Sequence, residues 1–174
     1  MKLQKILSRF LKLHPKEIDL SLDRIINLCK KLKDLNYNVS VVDDLSTGIK
    51  DNIPFGCEFF KLDLSLSESF DKLPKNFDAV FHLASQVSSE DSCDNPINDL
   101  RRNAFSTLQL LQWIRKVNIK KIIYTSTMGV YKDNQNKALS ESMLLSPKSF
   151  YGIGKMCSEE YIRLFFEESL QYPE

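Results

Sequence analysis

Short apolar runs that end in polar residues alternate with helical patterns along most of this chain, and this alternation restricts the fold more than any other feature. Segments 98–116 and 151–169 have apolar residues at helical spacing. Runs with the length and the β-branched or aromatic character of buried strands lie at 39–42, 59–62, 79–84 and 121–127. Because strands that alternate with helices are typical of parallel βαβ units, we predict an α/β protein with helices on both faces of a parallel sheet.

The first 35 residues have a different character. Residues 2–13 place apolar side chains at helical spacing, and His14-Pro15 ends that pattern. A second helix is predicted to begin at Asp19 or Ser21 and to run to about residue 35. Residues 1–35 are therefore predicted to form two helices, and residues 36–174 a separate α/β domain.

Composition excludes several classes of partner. The net charge is +1, so no overall field favours nucleic acid or an acidic membrane. No apolar stretch approaches the roughly 18 residues of a transmembrane helix, and no secretory signal opens the chain. The cysteines have neither a C-x-x-C pair nor a histidine at metal-ligand spacing; they are Cys29, Cys57, Cys93 and Cys157. We expect a cytoplasmic protein with reduced thiols, no metal, and no nucleic-acid or membrane partner.

Carboxylates follow the first predicted strand. In open α/β sheets, ligands bind beyond the carboxyl ends of the strands, and Asp43 follows strand 39–42. Its carboxylate can accept hydrogen bonds from the ribose hydroxyls of a dinucleotide. Asp44 would repel a 2′-phosphate, which favours NAD over NADP. The alternative is that Asp43 only caps a turn, where aspartate is common.

Hydroxyl, phenol and ammonium groups follow the last predicted strand. Strand 121–127 ends in a cluster of hydroxyl side chains, and Tyr151 and Lys155 stand four residues apart on one helical face. A free phenol has a pKa near 10, and a nearby ammonium group lowers that pKa because it stabilises the phenolate. Thr127 can donate a hydrogen bond to a substrate oxygen. These groups suit a proton relay for the oxidation of an alcohol.

Six segments, in order and with sensible spacing, carry a resemblance that covers about residues 36–168. They are VVDDLSTG at 41–48, KLDL at 61–64, FHLASQVS at 81–88, NAFST at 103–107, TSTMGVY at 125–131 and SPKSFYGIGK at 146–155. Together they resemble the extended short-chain dehydrogenase/reductase family, in particular its NAD-dependent epimerases and dehydratases of the UDP-glucose 4-epimerase type. The implied fold is a Rossmann-like, doubly wound parallel sheet.

The resemblance implies a cofactor, a substrate class and residue roles. Tyr151 takes the proton of a sugar hydroxyl, Lys155 holds the nicotinamide ribose and lowers the tyrosine pKa, and Thr127 orients the substrate oxygen. The substrate is a nucleotide sugar that transfers a hydride to NAD, with return of the hydride in an epimerase or loss of water in a dehydratase. Matching positions assigned to NAD binding are Asp43, Asp44, Asp63, Leu64, Leu83, Ala84, Ser85, Asn103 and Lys155. Family members often form homodimers through helices that correspond to 98–116 and 151–169.

The N-terminal part departs from this family. The family opens with a strand and three glycines that let the backbone approach the pyrophosphate. None of the five glycines here precedes Gly48, and the matching positions hold Leu20, Leu22 and Ile25. We therefore expect an incomplete Rossmann-like sheet that lacks the usual first strand and glycine loop.

Both ends of the chain bear on its activity. Residues 1–33 resemble the two opening helices of folylpolyglutamate/dihydrofolate synthases, although no phosphate loop follows, which suggests a fusion joined near 33–36. The chain stops shortly after the helix that carries Tyr151, so we expect the substrate domain to be absent. Two hypotheses stand: an NAD-dependent nucleotide-sugar epimerase or dehydratase, or a truncated, non-catalytic relative that keeps the fold as an interaction module.

Overall fold

A computed structural model describes residues 24–86, 89–132 and 138–171. The chain divides into two compact units between Lys61 and Leu62. The predicted helix at 2–13 lies outside the described residues. The sequence also predicts a boundary between residues 35 and 36, because residues 1–35 differ from the rest of the chain in the family that they resemble. The division into compact units does not test that resemblance, so the boundary stays a prediction.

The first unit contains one helix and one pair of parallel strands. Helix α1 spans Arg24–Asp34, β1 spans Ser40–Asp43, and β2 spans Glu58–Lys61 after a short 3-10 turn. The two strands are in register from Ser40 opposite Glu58 to Asp43 opposite Lys61. Helix α1 ends where the sequence predicts, because Asn36 adopts a left-handed φ of 61°.

The second unit contains the remaining elements. Its strands are β3 (Val80–His82) and β4 (Ile122–Tyr124), which pair in parallel from Val80 opposite Ile122 to His82 opposite Tyr124. Its helices are α2 (Ser89–Asp94), α3 (Pro96–Leu100), a π-helical turn (Arg101–Phe105), α4 (Ser106–Val117) and α5 (Phe150–Gln171). Two 3-10 helices span Ser67–Lys72 and Met128–Val130.

Local chemistry sets the ends of the long helical segment. Asn95 caps α3, since its Oδ1 accepts from the Asn98 amide at 3.0 Å, and Pro96 follows at the first helical position. Asn118 stops α4 with a left-handed φ of 60°. The prediction of a helix at 98–116 is confirmed, with the addition of a π-helical turn in its first half.

The described strands form two parallel pairs instead of one sheet. The prediction of an α/β protein with parallel strands is confirmed. Within 24–86, 89–132 and 138–171, no strand joins the β1–β2 pair to the β3–β4 pair. The predicted lack of a first strand and glycine loop concerns residues that lie mostly outside the described ranges, and it stays a prediction.

One face of α4 supplies the core of the second unit. Ile114 is fully buried, and Trp113 packs against Phe70 and Phe77 at ring-centroid distances of 5.9 and 6.0 Å. Phe105, the last residue of the π-helical turn, is 45% exposed. Phe105 lies off the stripe of buried positions that recurs every three or four residues. No helix in the described ranges is long and apolar enough to cross a membrane.

Candidate active site

The turn after β4 presents a hydroxyl group. Thr127 caps the 3-10 helix Met128–Val130, and its Oγ1 accepts a hydrogen bond from the Gly129 amide at 3.2 Å. A hydroxyl that accepts in this way still has its own proton to donate. Within the described part of the chain, that proton has no acceptor. Thr127 is therefore available as a donor, as its predicted role requires.

A close backbone approach places the start of α5 beside this turn. A Cβ atom at Gly152 would lie 2.6 Å from the carbonyl oxygen of Gly129 and 3.0 Å from the Cβ of Pro147. Only glycine fits such a contact without displacing the backbone. Since Tyr151 directly precedes Gly152, the segments that carry Tyr151 and Thr127 lie side by side, as the predicted relay requires.

Lys155 is buried one turn further along α5. Its side chain is 2% exposed, and its Nζ donates to the Thr125 carbonyl at 2.8 Å. The same Nζ lies 5.8 Å from the centre of the Tyr151 ring and 4.6 Å from that of Tyr124. Burial lowers the pKa of Lys155 to about 8, and this effect is larger than that of nearby carboxylates, which raise the pKa. At neutral pH the ammonium group is therefore mostly charged and close to the Tyr151 ring.

Asn103 connects the π-helical turn to the loop after β3. Its Nδ2 donates to Oδ1 of the buried Asp99 at 3.0 Å, and its Oδ1 accepts from the Gln86 amide at 3.1 Å. Leu83, Ala84 and Ser85 precede Gln86 in this loop. Asn103 thus holds the loop that the resemblance assigns to the cofactor. Asp99 was not among the predicted site residues. The feature that distinguishes it is the burial of a carboxylate in an otherwise amphipathic helix.

Carboxylates at the end of β1 and just after β1 and β2 form turns with their own backbone. Asp43 Oδ1 accepts from the Leu45 amide at 2.7 Å, and Asp44 Oδ1 accepts from the Ser46 amide at 2.9 Å. In the second unit, Asp63 Oδ1 accepts from the amide two residues on at 2.8 Å, and Leu64 beside it is half-buried. These are turn-capping contacts, the alternative raised for Asp43. Their predicted roles in NAD binding stay predictions.

His82 is a further buried polar residue that the sequence did not single out. It is 2% exposed, and its Nε2 lies 3.0 Å from Thr107 Oγ1. Burial, and then the positive charge of Lys155, lower the pKa of His82 to about 4. The ring also packs on Tyr124 at 5.4 Å between centroids. The folded state therefore favours a neutral imidazole.

This imidazole predicts a specific sensitivity to acid. Between its ordinary pKa of 6.5 and the folded value of about 4, the unfolded chain binds a proton that the folded chain does not. The free energy of unfolding should therefore fall by about 3 kcal/mol as the pH drops through that range. Urea denaturation at several pH values measures the loss. His82→Gln should flatten this slope; an unchanged slope in the variant would contradict the prediction.

Comparisons with known proteins agree with this geometry. Residues 26–172 match the model of the NAD dependent epimerase/dehydratase family. A putative UDP-glucose 4-epimerase of Methanocaldococcus jannaschii is 34% identical over 80% of this chain, and the UDP-glucose 4-epimerase of Mycolicibacterium smegmatis is 31% identical over 74%. The alignments cover 46% and 44% of those proteins, so the chain spans less than half the length of the curated relatives it matches.

Solved structures give the same result. The UDP-glucose 4-epimerase of Thermus thermophilus, a complex with NAD, superposes with a TM-score of 0.77 at 28% identity, over 82% of this chain and 47% of that one. The UDP-N-acetylglucosamine 4-epimerase of Methanobrevibacter ruminantium gives a TM-score of 0.74 at 32% identity, over 82% and 46%. These matches confirm the Rossmann-like α/β fold and the family prediction: the chain belongs to the NAD dependent epimerase/dehydratase family.

Proposed function

We propose that this chain carries the catalytic half of an NAD-dependent nucleotide-sugar epimerase, with the 4-position of a UDP-hexose as the reacting centre. The observation that carries the proposal is the buried Lys155 ammonium group between the Thr125 carbonyl and the Tyr151 ring. The names of the matching proteins, UDP-glucose and UDP-N-acetylglucosamine 4-epimerases, support the substrate class.

Each residue has a role in moving one proton. Tyr151 accepts the proton of the sugar hydroxyl and later returns it. The charge of Lys155 stabilises the phenolate, because a cation 5.8 Å from the ring acts through a poorly solvated environment. Thr127 donates its free O–H to the same substrate oxygen and so orients it. When bound, NAD supplies the acceptor and donor for the hydride of the carbon that bears this hydroxyl.

The residues fit a dinucleotide at its nicotinamide end. Lys155 has three N–H groups, and within the described part of the chain only the Thr125 carbonyl accepts from one of them. The others can donate to ribose hydroxyls. In the resemblance, Ile25 corresponds to a family glycine that approaches the pyrophosphate, and Ile25 lies in helix α1. NAD affinity is therefore expected to be weak, since each lost charge-assisted hydrogen bond costs about 1.5–3 kcal/mol.

Two measurements on the purified chain test the proposal. Calorimetric titration with NAD⁺ measures binding, and conversion of UDP-galactose to UDP-glucose in the presence of NAD⁺ measures turnover. Conversion that Tyr151→Phe removes would support the proposal. A folded chain that neither binds millimolar NAD⁺ nor converts the sugar would reject it and favour the truncated, non-catalytic alternative.

The proposal includes a homodimer, because a groove between α4 and α5 exposes apolar side chains. The groove has a volume of about 450 Å³, and its lining includes Leu108, Tyr161, Leu164 and Phe165. Tyr161 and Leu164 are 38% and 45% exposed. A second copy of the chain would bury this surface, which in a monomer is exposed to water.

Leu164→Glu should therefore shift the chain from dimer to monomer, because a carboxylate would be desolvated at the interface. Sedimentation velocity over a range of concentrations measures the shift. Leu66→Glu is the matched control, since Leu66 is 44% exposed and does not line the groove. A wild-type chain that is monomeric at all concentrations, or two variants that behave alike, would refute the dimer at this surface.

A further inference from the structure

We infer that His82 is a positioning residue for Lys155, because its imidazole and its carbonyl belong to one closed ring of polar contacts that holds α5 against β3 and β4. The inference rests on the proposed function, since it assigns His82 a part in setting up the Tyr151–Lys155 pair. His82 itself touches neither substrate nor cofactor in this scheme.

The side-chain half of the ring runs from β3 through α4 to α5. His82 Nε2 lies 3.0 Å from Thr107 Oγ1, which lies 3.2 Å from Ser158 Oγ. Ser158 Oγ in turn donates to the carbonyl of Gly154 at 2.9 Å. Gly154 directly precedes Lys155 in α5, so these contacts reach the backbone that carries the ammonium side chain.

The main-chain half runs through Thr125, the residue that follows β4. The His82 carbonyl accepts from the Thr125 amide at 3.2 Å, and the Thr125 carbonyl accepts from Lys155 Nζ at 2.8 Å. One residue of β3 is thus connected to Lys155 along two routes, through the backbone of α5 and through the ammonium group. A shift of α5 along its axis would break contacts on both routes.

The direction of the His82–Thr107 bond depends on the tautomer of the imidazole. The single proton of Thr107 has three acceptors within reach, the Asn103 carbonyl at 2.8 Å, His82 Nε2 at 3.0 Å and Ser158 Oγ at 3.2 Å. When that proton goes to the Asn103 carbonyl, the shortest of these contacts, the imidazole donates to Thr107 through Nε2–H; when it goes to Nε2, the imidazole accepts. Either tautomer keeps the contact between the two side chains.

Burial makes the ring costly to break. His82 and Lys155 are each 2% exposed, and Thr107 and Ser158 are fully buried. Removing one partner leaves another polar group unsatisfied in a site that is shielded from solvent. When the ring is broken, we expect α5 to move and water to reach Lys155. The pKa of Lys155 therefore reports whether the ring is closed.

The test compares Thr107→Val, which keeps the shape but removes the hydroxyl, with Thr107→Ser, which keeps the hydroxyl. In the chain without added ligand, NMR of ¹⁵N-labelled lysine follows the titration of Lys155. The wild type and Thr107→Ser should titrate near pH 8, the pKa of the buried ammonium group. Thr107→Val should titrate higher by about one pH unit, because solvation restores the charged form. Glu159 and Asp99, which also act on Lys155, are the same in all three proteins.

Equal titration of Lys155 in the Val and Ser variants would overturn the inference. If Thr107→Val does not fold, His82→Leu and His82→Gln replace the pair, since glutamine offers an N–H near the position of Nε2 and leucine does not.

For the sugar reaction, kcat of Thr107→Val should fall about tenfold with KM unchanged, and Thr107→Ser should restore it. A wild-type chain without turnover would reject the proposed function, while the Lys155 titration would still decide the inference.

Discussion

Tyr151→Phe should lower the turnover of a UDP-sugar by about 10²–10⁴-fold, the usual contribution of a positioned acid–base group. The substitution removes one oxygen atom and leaves a ring of the same shape beside Lys155, whose Nζ lies 5.8 Å from the ring centre. NAD⁺ affinity should change little, because Lys155 and Thr125 keep their hydrogen bond. Chromatographic separation of UDP-glucose and UDP-galactose after timed incubation measures the rate.

Tyr161→Phe provides the control on the same helix. Tyr161 is 38% exposed and lines the groove between α4 and α5 instead of the turn at Thr127. Loss of the Tyr161 hydroxyl should leave turnover within about twofold of wild type. Surface substitutions of this kind change stability by less than about 0.5 kcal/mol, so the folded fraction should not change. Equal rates in Tyr151→Phe and wild type would remove Tyr151 from the mechanism.

Gly152→Ala should lower the free energy of unfolding by about 3 kcal/mol, a value typical of overpacking at a rigid contact. The added methyl group would stand 2.6 Å from the Gly129 carbonyl oxygen, which is backbone and cannot rotate away. Turnover should fall as well, because the two segments that move apart carry Tyr151 and Thr127. Urea denaturation followed by circular dichroism measures the stability change.

Two neighbouring glycines supply graded controls. A Cβ atom at Gly129 would make its nearest contact at 3.6 Å, so Gly129→Ala should change stability by less than about 0.5 kcal/mol. At Gly154 the nearest contact is 3.3 Å, to the Cβ of Asn103, and the effect should be intermediate. A different order of the three variants would show that close packing at Gly152 does not determine the stability of this site.

Within the described residues, the sequence by itself determined the four strands, the long helices and their order. Strand β1 and helix α5 begin and end within two residues of their predictions at 39–42 and 151–169. The spacing of Tyr151 and Lys155 also placed both on one helix. These features depend on side-chain periodicity and turn chemistry, which act over a few residues and can be read locally.

Only the tertiary structure decided how these elements meet. The contact of His82 with Thr107 joins residues 25 apart in the chain, and that of Thr107 with Ser158 joins residues 51 apart. The need for glycine at position 152 likewise comes from a carbonyl on another segment. No local pattern encodes such pairs, because their stability depends on burial and on distances that exist only once separate elements pack together.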